Sequence, residues 1–300
     1  MEHPRPEPRQ TLRTLRTLRT LVAGSELVLA PVVLNPLMAR LAEDTGFQAG
    51  YLSGGSLGWL NCATEANLNL TDVAHAALDM RAATSLPLIL DAGGGWGDPV
   101  HMHRTMSMSE AAGFAALEVE DQFLPRRVHH HIGVERLIEP AAMVQKIREL
   151  IAARSHPDTL IIARTNAIRL NGMDDALRRA EAFKRAGADM LFVHTRNADE
   201  MRVIGECLPG PLMIFAPGDG FADFPLSRQD LARLGFRIAA SSGSAFAALY
   251  KAVRQSYECL MRDEPDPFMG KGGVARSMKD ARDTCRLPAL LEIEKNTTGN

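Results

Sequence analysis

Two acidic residues, Asp91 and Glu120, close short apolar runs in a chain of 300 residues. Asp91 ends the run Leu86-Pro87-Leu88-Ile89-Leu90 and is followed by Ala92-Gly93-Gly94-Gly95. A carboxylate there either caps the next helix or binds a hard cation. The glycines spoil the capping geometry, because the next helical pattern starts only near Pro99, so cation binding or catalysis is expected. Glu120 lies in Leu117-Glu118-Val119-Glu120-Asp121. On a strand Glu118 and Glu120 share a face, and Asp121 does not. Carboxylates facing one dry cavity repel each other unless a cation lies between them. Mg2+ suits such a pair because it accepts few protein ligands, with Mn2+ as second choice. Asp91 and Glu120 are the expected metal ligands; a salt bridge from one of them to Arg164 is the competing reading.

Arg164 follows Leu160-Ile161-Ile162-Ala163. Its guanidinium can grip a carboxylate or phosphate with two parallel hydrogen bonds, which makes it a substrate-binding and catalytic candidate, with Asn166 beside it. Ser53-Gly54-Gly55 offers a hydroxyl and two unhindered backbone N–H groups to the carboxylate or carbonyl of a small acid. Arg126-Arg127-Val128-His129-His130-His131 reads as a polar loop. Three adjacent histidines cannot all reach one metal through ordinary backbone geometry. His129 and His130 are candidate general acids or bases, weighed against a solvated loop. His194 ends a further apolar run and is another candidate, whereas His101 and His103 read as surface or supporting groups.

These residues need a frame that brings them to one place. Short, nearly continuous apolar runs occur at 27–33, 49–53, 86–91, 116–121, 159–165, 190–195, 211–216 and 237–241. Continuous rather than alternating hydrophobicity predicts parallel strands buried on both faces. Amphipathic helical patterns fill the gaps at 35–45, 71–84, 99–112, 140–154, 173–186, 198–208, 227–234 and 244–261. Several stop at a glycine suited to a helix C-terminus: Gly46, Gly113, Gly187 and Gly235. Strict alternation eight times over predicts a (β/α)8 TIM barrel, with an N-terminal helix and a C-terminal helical extension. The competing open sheet normally carries a Gly-rich loop after its first strand, and residues 31–36 contain no glycine. In a barrel the strand C-termini hold the chemistry, and Asp91, Glu120, Arg164 and His194 all fall there.

The net charge of −2 and the mixed charge pattern suggest no nucleic-acid or membrane footprint. Cys62, Cys207, Cys259 and Cys285 follow no metal spacing, which with the missing signal core predicts a cytoplasmic protein. Residues 1–10 read as a disordered lead-in, 11–262 as the barrel domain and 263–300 as a tail. Within the repeat from Thr11 to Arg19, Leu12, Leu15 and Leu18, continued by Val22, form one apolar face. A helix packed on the barrel floor is favoured over a membrane-surface helix because that face is narrow.

Taken together, Tyr51-Leu52-Ser53-Gly54-Gly55, Asp91-Ala92-Gly93-Gly94-Gly95-Trp96-Gly97, Glu120-Asp121-Gln122 and Ala163-Arg164-Thr165-Asn166-Ala167 resemble the phosphoenolpyruvate mutase/isocitrate lyase superfamily. The spacing of Ala186-Gly187-Ala188-Asp189 and the Tyr257-Glu258-Cys259-Leu260 helix agree, and the resemblance runs collinearly from 27 to 261. It implies a (β/α)8 barrel that binds Mg2+ and acts on α-oxo or 2-hydroxy acids through enolate-like intermediates. It also implies a homo-oligomer, dimer or tetramer, with residues 245–261 or the tail exchanged onto a neighbouring subunit. Asp91 matches the direct metal ligand and Glu120 the second acid of the metal shell. Arg164 and Ser53-Gly54-Gly55 match the contacts to substrate carboxylate and carbonyl.

The departures are as specific as the matches. The family's D-A-D run has a second aspartate where this chain has Gly93, and the local candidates for a further acid after strand two are Thr64 and Glu65. The lyases' K-R-C-G-H loop becomes Arg126-Arg127-Val128-His129-His130; valine cannot move a proton, which argues against ordinary isocitrate or methylisocitrate cleavage. Gly243 replaces a histidine expected in the decarboxylase branch, and His194 stands where lyases often have glutamate. The expectation is a Mg2+-dependent carbon–carbon lyase or decarboxylase on a small carboxylate, with His129, His130 or His194 in place of the cysteine. Phosphorus–carbon chemistry, favoured by Arg126 and Arg127, and a non-catalytic metabolite-binding relative are the alternatives.

Overall fold

In the computed structural model, which describes residues 17–298 apart from the side chains of His130 and His131, eight strands alternate with helices along the chain. The strands are β1 (Val28–Ala30), β2 (Gly50–Leu52), β3 (Leu88–Asp91), β4 (Ala116–Glu120), β5 (Leu160–Thr165), β6 (Met190–Val193), β7 (Leu212–Phe215) and β8 (Phe236–Ala240). All pair in parallel, in the order β1-β8-β7-β6-β5-β4-β3-β2. The two ends of that order meet: Tyr51 N–H donates to the Pro31 carbonyl at 2.8 Å and Val33 N–H to the Tyr51 carbonyl at 2.9 Å. The sheet therefore closes into the expected barrel. Nearly every strand residue is buried, as parallel strands wrapped by helices require.

The helices are α1 (residues 17–23), α2 (Pro36–Asp44), α3 (Gly54–Leu60), α4 (Leu70–Ala83), α5 (Met102–Ala111), α6 (Pro140–Ala153), α7 (Ile168–Asn171), α8 (Met173–Arg185), α9 (Ala198–Cys207), α10 (Arg228–Arg233), α11 (Ser244–Met261), α12 (Gly273–Thr284) and α13 (Leu287–Thr297). Their starts follow the side chains that can accept free amide protons. Asn35, Asn69, Asn197 and Ser227 each cap the helix behind them. Gly46, Gly113, Gly187 and Gly235 stop helices with φ between +83° and +106°, a left-handed turn that favours glycine.

Leu18 and Val22 of α1 are buried in the core cluster beside inward-facing strand residues such as Ile89, Ile162 and Phe192. Arg19 donates to the Pro157 carbonyl at 2.7 Å and to Asp189 Oδ1 at 3.1 Å, both just before strands β5 and β6. The helix thus packs at the N-terminal end of the barrel. Leu12 and Leu15, and the proposed lead-in 1–10, lie outside the described residues.

The chain divides into two compact units, the first ending at Ser244 and the second running from Ala245. The division falls ahead of the boundary expected after 262, because α11 groups with the C-terminal segment: Gln255 Nε2 donates to Asp266 Oδ1 at 2.9 Å, and Glu264 N–H to the Cys259 carbonyl. The tail is helical, as α12 and α13. No helix among the described residues is long and apolar enough to cross a membrane.

Candidate active site

The strand register decides which acids meet. Asp91 pairs with Glu118, and Glu120 pairs with Arg164, on three consecutive strands. Period-two alternation sends Glu118 and Glu120 to the inside and Asp121 to the outside. Asp121 accordingly faces α8: its Oδ2 accepts from Thr165 Oγ1 at 2.7 Å and pairs with Arg179 at 3.1 Å. Its carboxyl is pushed up to about 6 by burial, against the pull of those partners.

Arg164 is the hub of the inner layer. Its Nη1 bonds Glu118 Oε1 at 2.8 Å, and its Nε lies 3.2 Å from Glu120 Oε2 and 3.0 Å from Asn166 Oδ1. The guanidinium carbon stands 5.1 Å from the ring centroids of both Phe192 and Phe215. A buried arginine is tolerable only when so compensated, and two carboxylates hold it charged. Glu118 also accepts from the Tyr51 hydroxyl at 2.8 Å. Burial pushes the Glu118 carboxyl up to about 8 in spite of Arg164.

Asn166 fixes the state of His194. Its amide nitrogen donates to Glu120 Oε2 at 2.7 Å, so its oxygen faces both Arg164 Nε and His194 Nδ1, the latter at 3.1 Å. His194 Nδ1 must then carry the ring proton, which leaves Nε2 as a lone pair. That nitrogen is buried with no hydrogen-bond partner among the described residues. Burial, assisted by Arg164, drives the imidazole down to about 2, so it is neutral at physiological pH.

Asp91 stands at the edge of this layer. Its Oδ1 accepts from Gly93 N–H at 3.1 Å and its Oδ2 from Gly54 N–H at 3.4 Å. Ser53, Gly54 and Gly55 are not the loop that a Ser-Gly-Gly run suggests. Ser53 is the cap of α3, its hydroxyl accepting from Ser56 N–H, and both glycines lie in the first turn. The first amides of a helix have no carbonyl partner within it, so the Gly54 amide is given to Asp91 and Gly55 still presents a donor at the barrel mouth.

Two residues join that the spacing argument left at the margin. Glu65 begins a 3-10 turn (Glu65–Asn67) after α3, and Arg126 lies on the loop after β4. The Arg126 guanidinium bonds Glu65 through Nη1, Glu120 through Nη2 and Gln122 through Nε. Glu65 is brought in by close packing rather than by any motif. A Cβ on Gly58 would lie 2.8 Å from the Glu65 nitrogen. Burial, with Asp91 adding repulsion, pushes the Glu65 carboxyl up to about 8. A cavity of about 380 Å³ opens beside these groups, lined by Gly54, Glu65, Asp91, Trp96, His101 and Arg126 among others.

The oxygens of Glu65, Asp91 and Glu120 are the type a hard divalent cation takes, so the donor chemistry fits Mg2+. The arrangement differs: no group of three or more His, Cys, Asp or Glu is poised around a metal position among the described residues. The positive charge between Glu65 and Glu120 is Arg126. Among the loop histidines, His129 is exposed on a 3-10 turn (Val128–Ile132) and lines a separate cavity with Arg127 and Phe123. The side chain of His130 lies outside the described residues.

A family model described as phosphoenolpyruvate phosphomutase matches residues 18–261. The chain is 30% identical to a 2,3-dimethylmalate lyase of Eubacterium barkeri, over 92% of this chain and 95% of the relative. It is 36% identical to an oxaloacetate decarboxylase of Pseudomonas fluorescens, over 80% of this chain and 81% of the relative. It superposes on a phosphonopyruvate hydrolase solved with oxalate and Mg2+ with a TM-score of 0.82 at 28% identity, covering 95% of this chain and 99% of that one.

Proposed function

The chain belongs to the phosphoenolpyruvate mutase/isocitrate lyase superfamily, and on that premise we propose a carbon–carbon lyase or decarboxylase acting on a small α-oxo or 2-hydroxy carboxylate. The observation that carries the reading is the layer of Asp91, Glu118, Glu120 and Arg164 at the mouth of the barrel, beside a cavity of small-acid size. The names of the two curated relatives, a lyase and a decarboxylase, are of this type.

Breaking a carbon–carbon bond next to a carbonyl leaves an electron pair that spreads onto the carbonyl oxygen as an enolate. Catalysis then requires positive charge and hydrogen-bond donors aimed at that oxygen before the bond breaks. Arg164 is pinned by Glu118, Glu120 and Asn166, so its orientation costs nothing at the moment of reaction. It fixes a carboxylate of the substrate. The Gly55 amide, with the Ser53 hydroxyl beside it, addresses a carboxylate or carbonyl oxygen, while the Gly54 amide steadies Asp91 on the same surface. Asn166 ties Arg164 to Glu120 and belongs to the same binding surface. Asp91 and Glu120 are the residues that would hold Mg2+, or Mn2+, directly or through water; when bound, the ion supplies Lewis-acid charge for the developing enolate.

The carbon that keeps the electron pair needs a proton. His194 has none to give from Nε2 at neutral pH, and its role is to hold Asn166 in position. The proton is assigned to the loop after β4, through His129 or His130. The free cysteines agree with a cytoplasmic setting. Phosphorus–carbon chemistry is less supported, because Arg126 is already bonded to Glu65 and Glu120.

Cleavage of oxaloacetate and 2,3-dimethylmalate with Mg2+ or Mn2+, monitored by NMR of the carbon skeleton, tests the reading. Turnover lost on Asp91→Asn and on Arg164→Ala supports it. A folded protein that turns over no oxo or hydroxy acid, yet binds a phosphonate analogue in preference to oxalate, would refute it.

A further inference from the structure

We propose that Arg126 is the resident cation of this site, docked where a divalent ion would neutralise Glu65, Asp91 and Glu120, so that an ion enters only as the loop after β4 withdraws that side chain. The inference rests on reading Asp91 and Glu120 as the ion's ligands.

The first support is placement. One guanidinium bridges Glu65, from the turn after α3, and Glu120, at the end of β4, while its Nε holds Gln122. Its side chain is 8% exposed and Glu120's is 1% exposed, so solvent screens this pairing little.

The second is room. A Cβ at Gly93 would lie 3.4 Å from Arg126 Nη1, and Gly93 has a φ of +51°. A side chain at position 93 would begin in contact with the guanidinium and would have to adopt a left-handed conformation that favours glycine. With glycine at position 93, the guanidinium lies against the backbone there and no acidic side chain stands between them.

The third is the loop that carries it. Its base is fastened, with Phe123 N–H donating to the Arg136 carbonyl at 2.8 Å and Ile138 N–H to the Asp121 carbonyl at 2.9 Å. Beyond that base Arg127, Val128 and His129 are exposed. Arg126 ties this exposed tip to the barrel mouth.

Charge balance then makes the exchange mutually exclusive. Lifting the guanidinium out without replacement would leave buried carboxylates facing one another with no compensating charge. A divalent ion entering with the guanidinium still docked would meet like charge at contact distance. Ion in with arginine out, and arginine in with ion out, are the two states in which a positive charge stands against these carboxylates. Binding of the ion and opening of the loop are therefore one equilibrium.

Mn2+ affinity, read by electron paramagnetic resonance on the full chain, tests this. Arg126→Gln, which keeps a polar side chain and removes the charge, is expected to bind Mn2+ about tenfold more tightly or better. Arg126→Lys is expected to fall between that variant and wild type, and carries the test if the glutamine variant does not fold. Adding Asp91→Asn to either variant should abolish the gain. In wild type, saturating Mn2+ should speed hydrogen exchange across residues 123–138. Equal or weaker Mn2+ binding by both variants overturns the proposal, as does a gain that survives Asp91→Asn or unchanged exchange in the loop. A chain inactive on every oxo acid that still shows the gain would count against the proposed reaction and leave this inference standing.

Discussion

His194 and Arg164 differ in what burial does to them. Arg164 keeps its charge because Glu118 and Glu120 stand against it, while burial strips His194 of its charge and the nearby Arg164 guanidinium adds to the effect. The imidazole's value is lowered from 6.5 to about 2 in the fold. As pH falls through 6.5 the unfolded chain takes up a proton that the folded chain refuses, so this group removes stability on acidification, by about 1.4 kcal/mol per pH unit. Glu65, Glu118 and Asp121, all raised, act in the opposite sense. Only a difference isolates the histidine. Between pH 7.5 and 5.5, wild type should lose more of its urea-unfolding free energy than His194→Gln does. Equal losses would remove the neutral assignment. Tyr51 offers a companion measurement: Tyr51→Phe strips a buried Glu118 oxygen of its donor and should cost about 1–3 kcal/mol. Asp91, Glu120, Arg164 and His194 were legible in the sequence because each closes an apolar run. The protonation state of His194 was not, since it depends on Asn166 being turned by Glu120.

The elements sort in the same way. All eight strands stand where continuous apolar runs put them, with ends that differ by up to three residues. Helix α3 was hidden because Gly54-Gly55-Ser56 has the composition of a loop, and its glycines are selected by contact rather than by turn geometry. Gly54 lies against the Glu65 side chain, and a Cβ on Gly58 would approach the Thr64 carbonyl carbon and the Glu65 nitrogen at 2.8 Å. No periodicity carries that information. Glu65 could be named from sequence only as one of two local acid candidates, because its approach to Glu120 passes through Arg126 on another loop. The packing makes Gly58→Ala informative. The methyl must displace the 64–65 backbone, which should cost about 1–3 kcal/mol. It should also weaken oxalate or Mn2+ binding, since Glu65 moves with it. Gly218→Ala, with nothing within 4 Å of the added carbon, is the matched control. Equal effects from the two substitutions would mean that α3 and the Glu65 turn do not position the site.

At the scale of the whole molecule, the barrel and the second unit differ in how they treat apolar surface. The first unit gathers its hydrophobic side chains into a continuous core sealed at one end by Leu18 and Val22. The second unit, α11 to α13, leaves Tyr257, Leu260, Met261 and Phe268 at 70% to 87% exposure, with Leu290, Leu291 and Ile293 at half or more. Among the described residues, twelve of its large apolar side chains are exposed, against eleven in the much longer first unit. Single exposed leucines need no explanation, but a concentration of this kind normally marks a surface covered by another chain. The sequence suggested an exchanged C-terminal helix only through family resemblance, because helical periodicity shows which residues are apolar and not which copy they pack against. We expect a dimer or tetramer, with light scattering giving a multiple of the 32.7 kDa chain mass. Leu260→Asp combined with Tyr257→Asp places two charges on that surface and should drive the assembly toward monomers. The barrel's own core is untouched by these changes, so its helical circular dichroism should persist. A wild-type chain that stays monomeric at micromolar concentration, or a double variant that keeps its mass, would show that the exposed face of α11 does not hold subunits together.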